Sequence, residues 1–148
     1  MRRWRIVAGV AAVSLGVILL LWKGGQADEE SGVDYAYGFS GEVHRFGDPE
    51  HEIVYGKGIE LAVLEPLGAY LEQIGYFSPD YGGVIQIRSR DRGYDVYLTY
   101  SSSYWDLPEF VDEVSSIQED LESNVLKSPI RIILADEDEA GVHSRVLE

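Results

Sequence analysis

The chain contains no cysteine. Disulfides, thiol catalysis, thiolate zinc sites, iron–sulfur clusters and lipidated-cysteine anchors are thereby excluded. Histidine occurs only three times and proline only five times. Positive charge is also scarce, with 12 Lys and Arg against 26 Asp and Glu and a net charge of −14. No Walker pattern or phosphate-cradling glycine loop occurs, and no G-x-S-x-G elbow flanks a serine.

The charge that is present is divided along the chain. Residues 1–27 carry Arg2, Arg3, Arg5 and Lys23 and no acid. The remaining residues hold eight bases and all 26 acids, a balance of −18. Such a segment repels nucleic acid at long range, so nucleic-acid binding is excluded as a function.

Ile6 to Trp22 reads IVAGVAAVSLGVILLLW, without a charge. As a helix it reaches about 25 Å, just short of the hydrocarbon core of a bilayer. Trp4 and Trp22 stand where interfacial aromatics belong, and Lys23 can snorkel to the far headgroups. The arginine cluster orients the N-terminus to the cytoplasm. Residues 1–23 are therefore read as a signal anchor, with residues 6–22 in the membrane and the rest extracytoplasmic. Gly25-Gln26-Ala27 also has the small-x-small form of a cleavage site, which leaves a secreted protein cut after Ala27 as the alternative. An exported chain without cysteine fits a bacterial source more readily than a eukaryotic secretory route.

Residues 24–42 read as a flexible, acidic linker rich in glycine and tyrosine, in which Tyr35–Gly41 is either tether or a short strand on the domain edge. Residues 43–148 read as one α+β domain. His44–Glu52 has the look of a loop turning at Gly47-Asp48-Pro49, and Ile53–Tyr55 of a short strand. Apolar spacing from Ile59 to Ile74 predicts a helix from near Glu60, with Pro66 either inside it or at its first turn, and Gly75 as its stop. Val84–Arg90 and Tyr94–Tyr100 alternate as strands of a hairpin that sets Arg88 opposite Asp95 as an ion pair. Leu107, Phe110, Val111, Val114, Ile117, Leu121 and Val125 form the stripe of a second helix, with Asp106 as its N-cap. Ile130–Leu134 is an apolar strand expected at the sheet centre, Asp136–Glu139 a solvated turn, and the last nine residues a strand or a tail. The expected fold is an N-terminal transmembrane helix followed by a two-layer α-β-β-α-β domain with a mostly antiparallel sheet.

Candidate chemistry is sparse. His44 and His51, with Asp48, Glu50 and Glu52, are weak metal candidates whose spacing matches no ligand motif. The acids at 136–139 lack the offsets of a calcium loop. Ser101–Ser103 and His143 form no recognisable nucleophile and base pair. No cofactor and no catalytic residue is expected. Tyr76, Phe77, Tyr81, Tyr104 and Trp105 gather at one end of the sheet, as a minor core or as a binding surface. Arg88, Arg90 and Arg92 form a basic stripe, held by internal acids or offered to an acidic partner. The leading expectation is a membrane-tethered, extracytoplasmic, non-catalytic protein-interaction domain. An immunity-like or inhibitor protein that neutralises a basic partner is the alternative, and an exported metal-dependent hydrolase the second.

Overall fold

The computed structural model describes residues 37–47, 50–138 and 140–147. The expected membrane segment 1–23 and tether residues 24–36 lie outside the described residues, as do Asp48, Pro49 and Glu139. Among the described residues, no helix is long and apolar enough to cross a membrane.

The elements are β1 (Glu42–Phe46), β2 (His51–Tyr55), α1 (Leu61–Gln73), β3 (Val84–Ser89), β4 (Tyr94–Thr99), α2 (Pro108–Asp120), β5 (Ile130–Asp138) and β6 (Gly141–Val146). A short 3-10 turn, Ser102–Tyr104, precedes α2, and a π-type turn, Leu121–Val125, prolongs it. The six strands form one sheet in sequential order from β1 to β6. Pairs β1–β2, β3–β4 and β5–β6 are antiparallel; β2–β3 and β4–β5 are parallel, each bridged by a helix. The domain is thus α+β with a mostly antiparallel sheet.

Its order, β-β-α-β-β-α-β-β, corrects the expected α-β-β-α-β. His44–Phe46 and His51–Glu52 lie in paired antiparallel strands rather than in a loop. Strand β1 is an edge strand with exposed Glu42 and Arg45, and charge on an edge strand hides the alternation that would reveal it. Residues 37–42 belong to the domain rather than to a tether, since Phe39 is 2% exposed and β1 starts at Glu42.

Period-two alternation sends Ile53, Ile85, Ile87, Val96, Leu98, Ile132 and Leu134 to one face of the sheet, where both helices cover them. Helix α1 contributes Leu64, Leu67 and Leu71; α2 and its π-turn contribute Val114, Ile117 and Leu121. Tyr70 of α1 donates a hydrogen bond to Asp120 of α2 at 3.3 Å, which ties the two helices together. Helix α1 begins after Glu60 and tolerates Pro66 inside it, where the missing N–H deprives only the exposed first turn of a partner. At Gly68 the backbone meets β1: a Cβ there would lie 2.7 Å from the Phe46 ring.

The shared face has a topological consequence. The steps β2→β3 and β4→β5 cross the sheet in the same direction, yet the antiparallel β3–β4 pair reverses the strands between them. Two right-handed crossovers would therefore put α1 and α2 on opposite faces. With both on one face, the crossovers have opposite hand, and one is of the rare left-handed type.

Strand β5 is next to the edge rather than central. From Ile133 on it pairs with β6, and before that its N–H groups are served by α2 and the π-type turn that prolongs it. Ile130 N–H donates to Glu122 Oε2 at 3.1 Å, and Ile132 N–H to Gln118 Oε1 at 3.0 Å. Asp136–Asp138 is the end of β5, not a turn, because these residues pair with His143, Val142 and Gly141 of β6; Asp136 Oδ2 also accepts the Ser102 N–H at 2.6 Å and clamps the segment after β4. Asp106 does not cap α2. Leu107 stands at the N-cap without a side-chain bond, and Asp106 pairs instead with Arg145 at 2.6 Å.

Candidate functional site

Of the expected aromatic residues, Tyr76, Phe77 and Tyr104 belong to one series of neighbouring rings, which Tyr81 and Trp105 do not join. Ring follows ring from His51 on Phe77 to Tyr76, Tyr100, Phe110 and Tyr104, with centroids 4.4, 5.8, 5.5, 5.0 and 6.4 Å apart. Most of the series is interior. Tyr76, Phe77, Tyr100 and Trp105 are buried; Tyr104 is half-buried and Tyr81 is exposed. Trp105 Nε1 donates to the Tyr100 carbonyl at 3.0 Å, and the Tyr76 hydroxyl accepts the Thr99 N–H at 2.8 Å. Burial pushes the Tyr76 and Tyr100 hydroxyl pKa values well up, as for tyrosines that stay neutral and structural. These side chains close the end of the core, which leaves Tyr81 and Tyr104 as the members that reach solvent.

The two histidines have separate partners. His44 Nε2 bonds Glu65 Oε1 at 2.9 Å. His51 is buried, stacks within 3° of coplanar on Phe77, and accepts the Gly83 N–H on Nδ1 at 3.0 Å. Burial lowers its pKa, with the charge of Glu72 opposing. Among the described residues, no group of three or more His, Asp or Glu side chains is placed to hold a metal ion.

The arginines give the most distinctive geometry, on the face of the sheet away from the helices. Part of that face is covered by Tyr37 and Phe39, which pack with Val54, Val84 and Ala135. Gln86 is buried beneath and donates to the Ser40 carbonyl at 2.8 Å. The register sets Ser89 against Tyr94 and Arg88 against Asp95, as the hairpin reading requires. The ion pair is different, however. Arg88 Nη2 donates to Ser40 Oγ at 3.0 Å, while Asp95 is held from the neighbouring parallel strand.

That neighbour is Arg131, opposite Asp95 across β4–β5. Its Nε and Nη2 donate to the two Asp95 oxygens, each at 2.8 Å. Arg90 Nε lies 3.7 Å from the same carboxylate. This bidentate pair raises the Arg131 pKa. Arg90, Asp91, Arg92 and Arg131 line an open groove of about 570 Å³. The Arg92 side chain makes no hydrogen bond or ion pair among the described residues. Gly93 shapes the rim: its φ is +79°, and a Cβ would run into the Pro129 carbonyl, which accepts the Tyr94 N–H at 2.9 Å.

Arg131 escaped the sequence reading because it stands as a lone charge in the apolar run Ile130–Leu134. That isolation is itself the signal. A single arginine in a buried-type strand needs a partner on an adjacent strand, and Asp95 was already read as facing the same side. Comparison with protein-family models, with curated proteins and with solved structures finds no match for this chain.

Proposed function

We propose that this protein is a membrane-tethered, extracytoplasmic interaction domain without catalytic activity of its own. The observation that carries the reading is the gathering of arginines. Arg88, Arg90, Arg92 and Arg131 are four of the eight bases after residue 27, and all lie at one corner of the sheet face that the helices leave free. A solubilising surface mixes its few bases among its acids; a contact surface collects them. The tether is supported by the uncharged run Ile6–Trp22 and by the arginines before it.

The experiment is cross-linking in intact cells, with a photoreactive residue in place of Arg92 and, separately, of Lys57. A discrete protein adduct formed from position 92 and not from position 57 supports the reading. Absence of any adduct from either position under several growth conditions would count against it.

The acidity itself favours a second reading, as an inhibitor or immunity-like protein for a basic partner. Glu109, Asp112, Glu119 and Glu122 are exposed along α2 and its π-turn and would be the contact. An adduct formed from position 112, rather than from 92, would select it.

A further inference from the structure

We infer that the groove lined by Arg90, Arg92 and Arg131 binds a short acidic segment of a partner protein, with Arg92 and Arg131 as the fork that grips carboxylates. The inference rests on the interaction-domain reading and gives it a site and a ligand class.

Arginine has five N–H donors in a planar fork. Arg131 uses one on Nε and one on Nη2 for Asp95, and this fixes the plane of its guanidinium. The remaining three have no partner among the described residues. Arg90, drawn to the same carboxylate, is held less tightly at 3.7 Å. Arg92, exposed on the turn, is free to swing onto a ligand. Asp95 thus acts from beneath as a positioning group: it is 8% exposed and directs two arginines without occupying the groove. The lining, three arginines and Asp91, carries +2 inside a segment of −18.

The contrast in charge chooses among anions. A polyanion or an anionic bilayer meets the whole acidic domain and is repelled by it. A short segment with two or three carboxylates feels only the groove, because charges beyond about 8 Å are screened at physiological salt. Planar carboxylates also match the arginine fork bidentately.

The test is fluorescence anisotropy of a labelled, glutamate-rich peptide titrated with the full-length protein in detergent micelles. The control peptide replaces glutamate with glutamine. Saturable, salt-sensitive binding is expected for the acidic peptide alone. It should weaken about tenfold or more in Arg92→Ala, as for loss of a charge-assisted hydrogen bond. Arg45→Ala should leave it unchanged, since Arg45 is spent on Glu50 and Glu52 at the far edge. Equal affinity of wild type and Arg92→Ala would overturn the inference. So would inorganic phosphate, or vesicles rich in an anionic lipid, binding at least as tightly and with the same dependence on Arg92. A variant neutralised at Asp28, Glu29 and Glu30 that binds the peptide far more tightly than wild type would make the chain's own acidic segment the occupant, and would also overturn it. If the peptide fails but position 92 still forms a protein adduct in cells, the ligand class falls and the interaction reading stands.

Discussion

Asp95 and Arg131 face each other across the parallel pair β4–β5 and share two hydrogen bonds of 2.8 Å. Asp95 lies beneath the groove that Arg131 lines, and sets the direction of its arginines. Asp95→Asn therefore separates two effects. Net charge alone would tighten binding of an acidic peptide, because an acid is removed. Loss of orientation would weaken it. The expected result in the same anisotropy titration is weaker binding by about tenfold, with the domain still folded by circular dichroism.

The turn that carries Arg90–Arg92 closes on Gly93. With φ at +79° and a Cβ position inside the Pro129 carbonyl, no side chain fits without moving β5. Gly93→Ala should cost about 2 kcal/mol or more, read as a lower midpoint of chemical denaturation. Peptide binding should weaken further than Arg92→Ala alone, because Arg131 moves with Pro129. Unchanged stability would show that the turn is not held as described.

Gly68 offers a cleaner packing test. Alanine is the better helix former by about 1 kcal/mol, but its Cβ would overlap three ring carbons of Phe46 at 2.7–2.9 Å. Gly68→Ala is expected to destabilise by about 1–2 kcal/mol in the wild type. In a Phe46→Ala background the same change should become neutral or stabilising. A substitution that costs the same in both backgrounds would mean that Phe46 does not lie on α1.

His51 gives the fold a pH dependence of known sign. Its Nδ1 accepts the Gly83 N–H, so protonation there breaks that bond, and burial holds its pKa below the ordinary 6.5. The unfolded chain then binds more protons than the folded one as pH falls below about 6.5. Stability is complete above that value and declines with falling pH until the folded pKa is passed. Denaturation midpoints between pH 8 and pH 5 should fall more steeply for wild type than for His51→Gln. His44 and His143 are common to both proteins and cancel. Parallel curves would show that His51 does not titrate on unfolding.

Much of this fold is legible in the residues. The stripes of α1 and α2 and the alternation of β3 and β4 are strong because each of these elements has one face in the core. The expected placement of Arg88 opposite Asp95 matches the observed register. The first hairpin was hidden because β1 lies at an edge and its polar residues face water. Residues 37–41 were hidden because they use glycine, tyrosine and phenylalanine to cover the second face, a composition shared with linkers. The groove was half legible. Its turn residues formed a visible stripe, but Arg131 arrives through a parallel pairing with Asp95, 36 residues away in sequence, which no local pattern encodes. The hand of the crossovers is of the same kind, since it depends on which face both helices choose.

We propose that residues 6–22 hold the acidic domain outside the cytoplasm. Protease added to intact cells after removal of the outer layers, with an epitope at the C-terminus, tests it most directly. The epitope should be lost from intact cells, while the protein stays in the membrane fraction after a carbonate wash. An epitope protected until the membrane is broken would place the domain on the cytoplasmic side and rule out the tethered, extracytoplasmic arrangement.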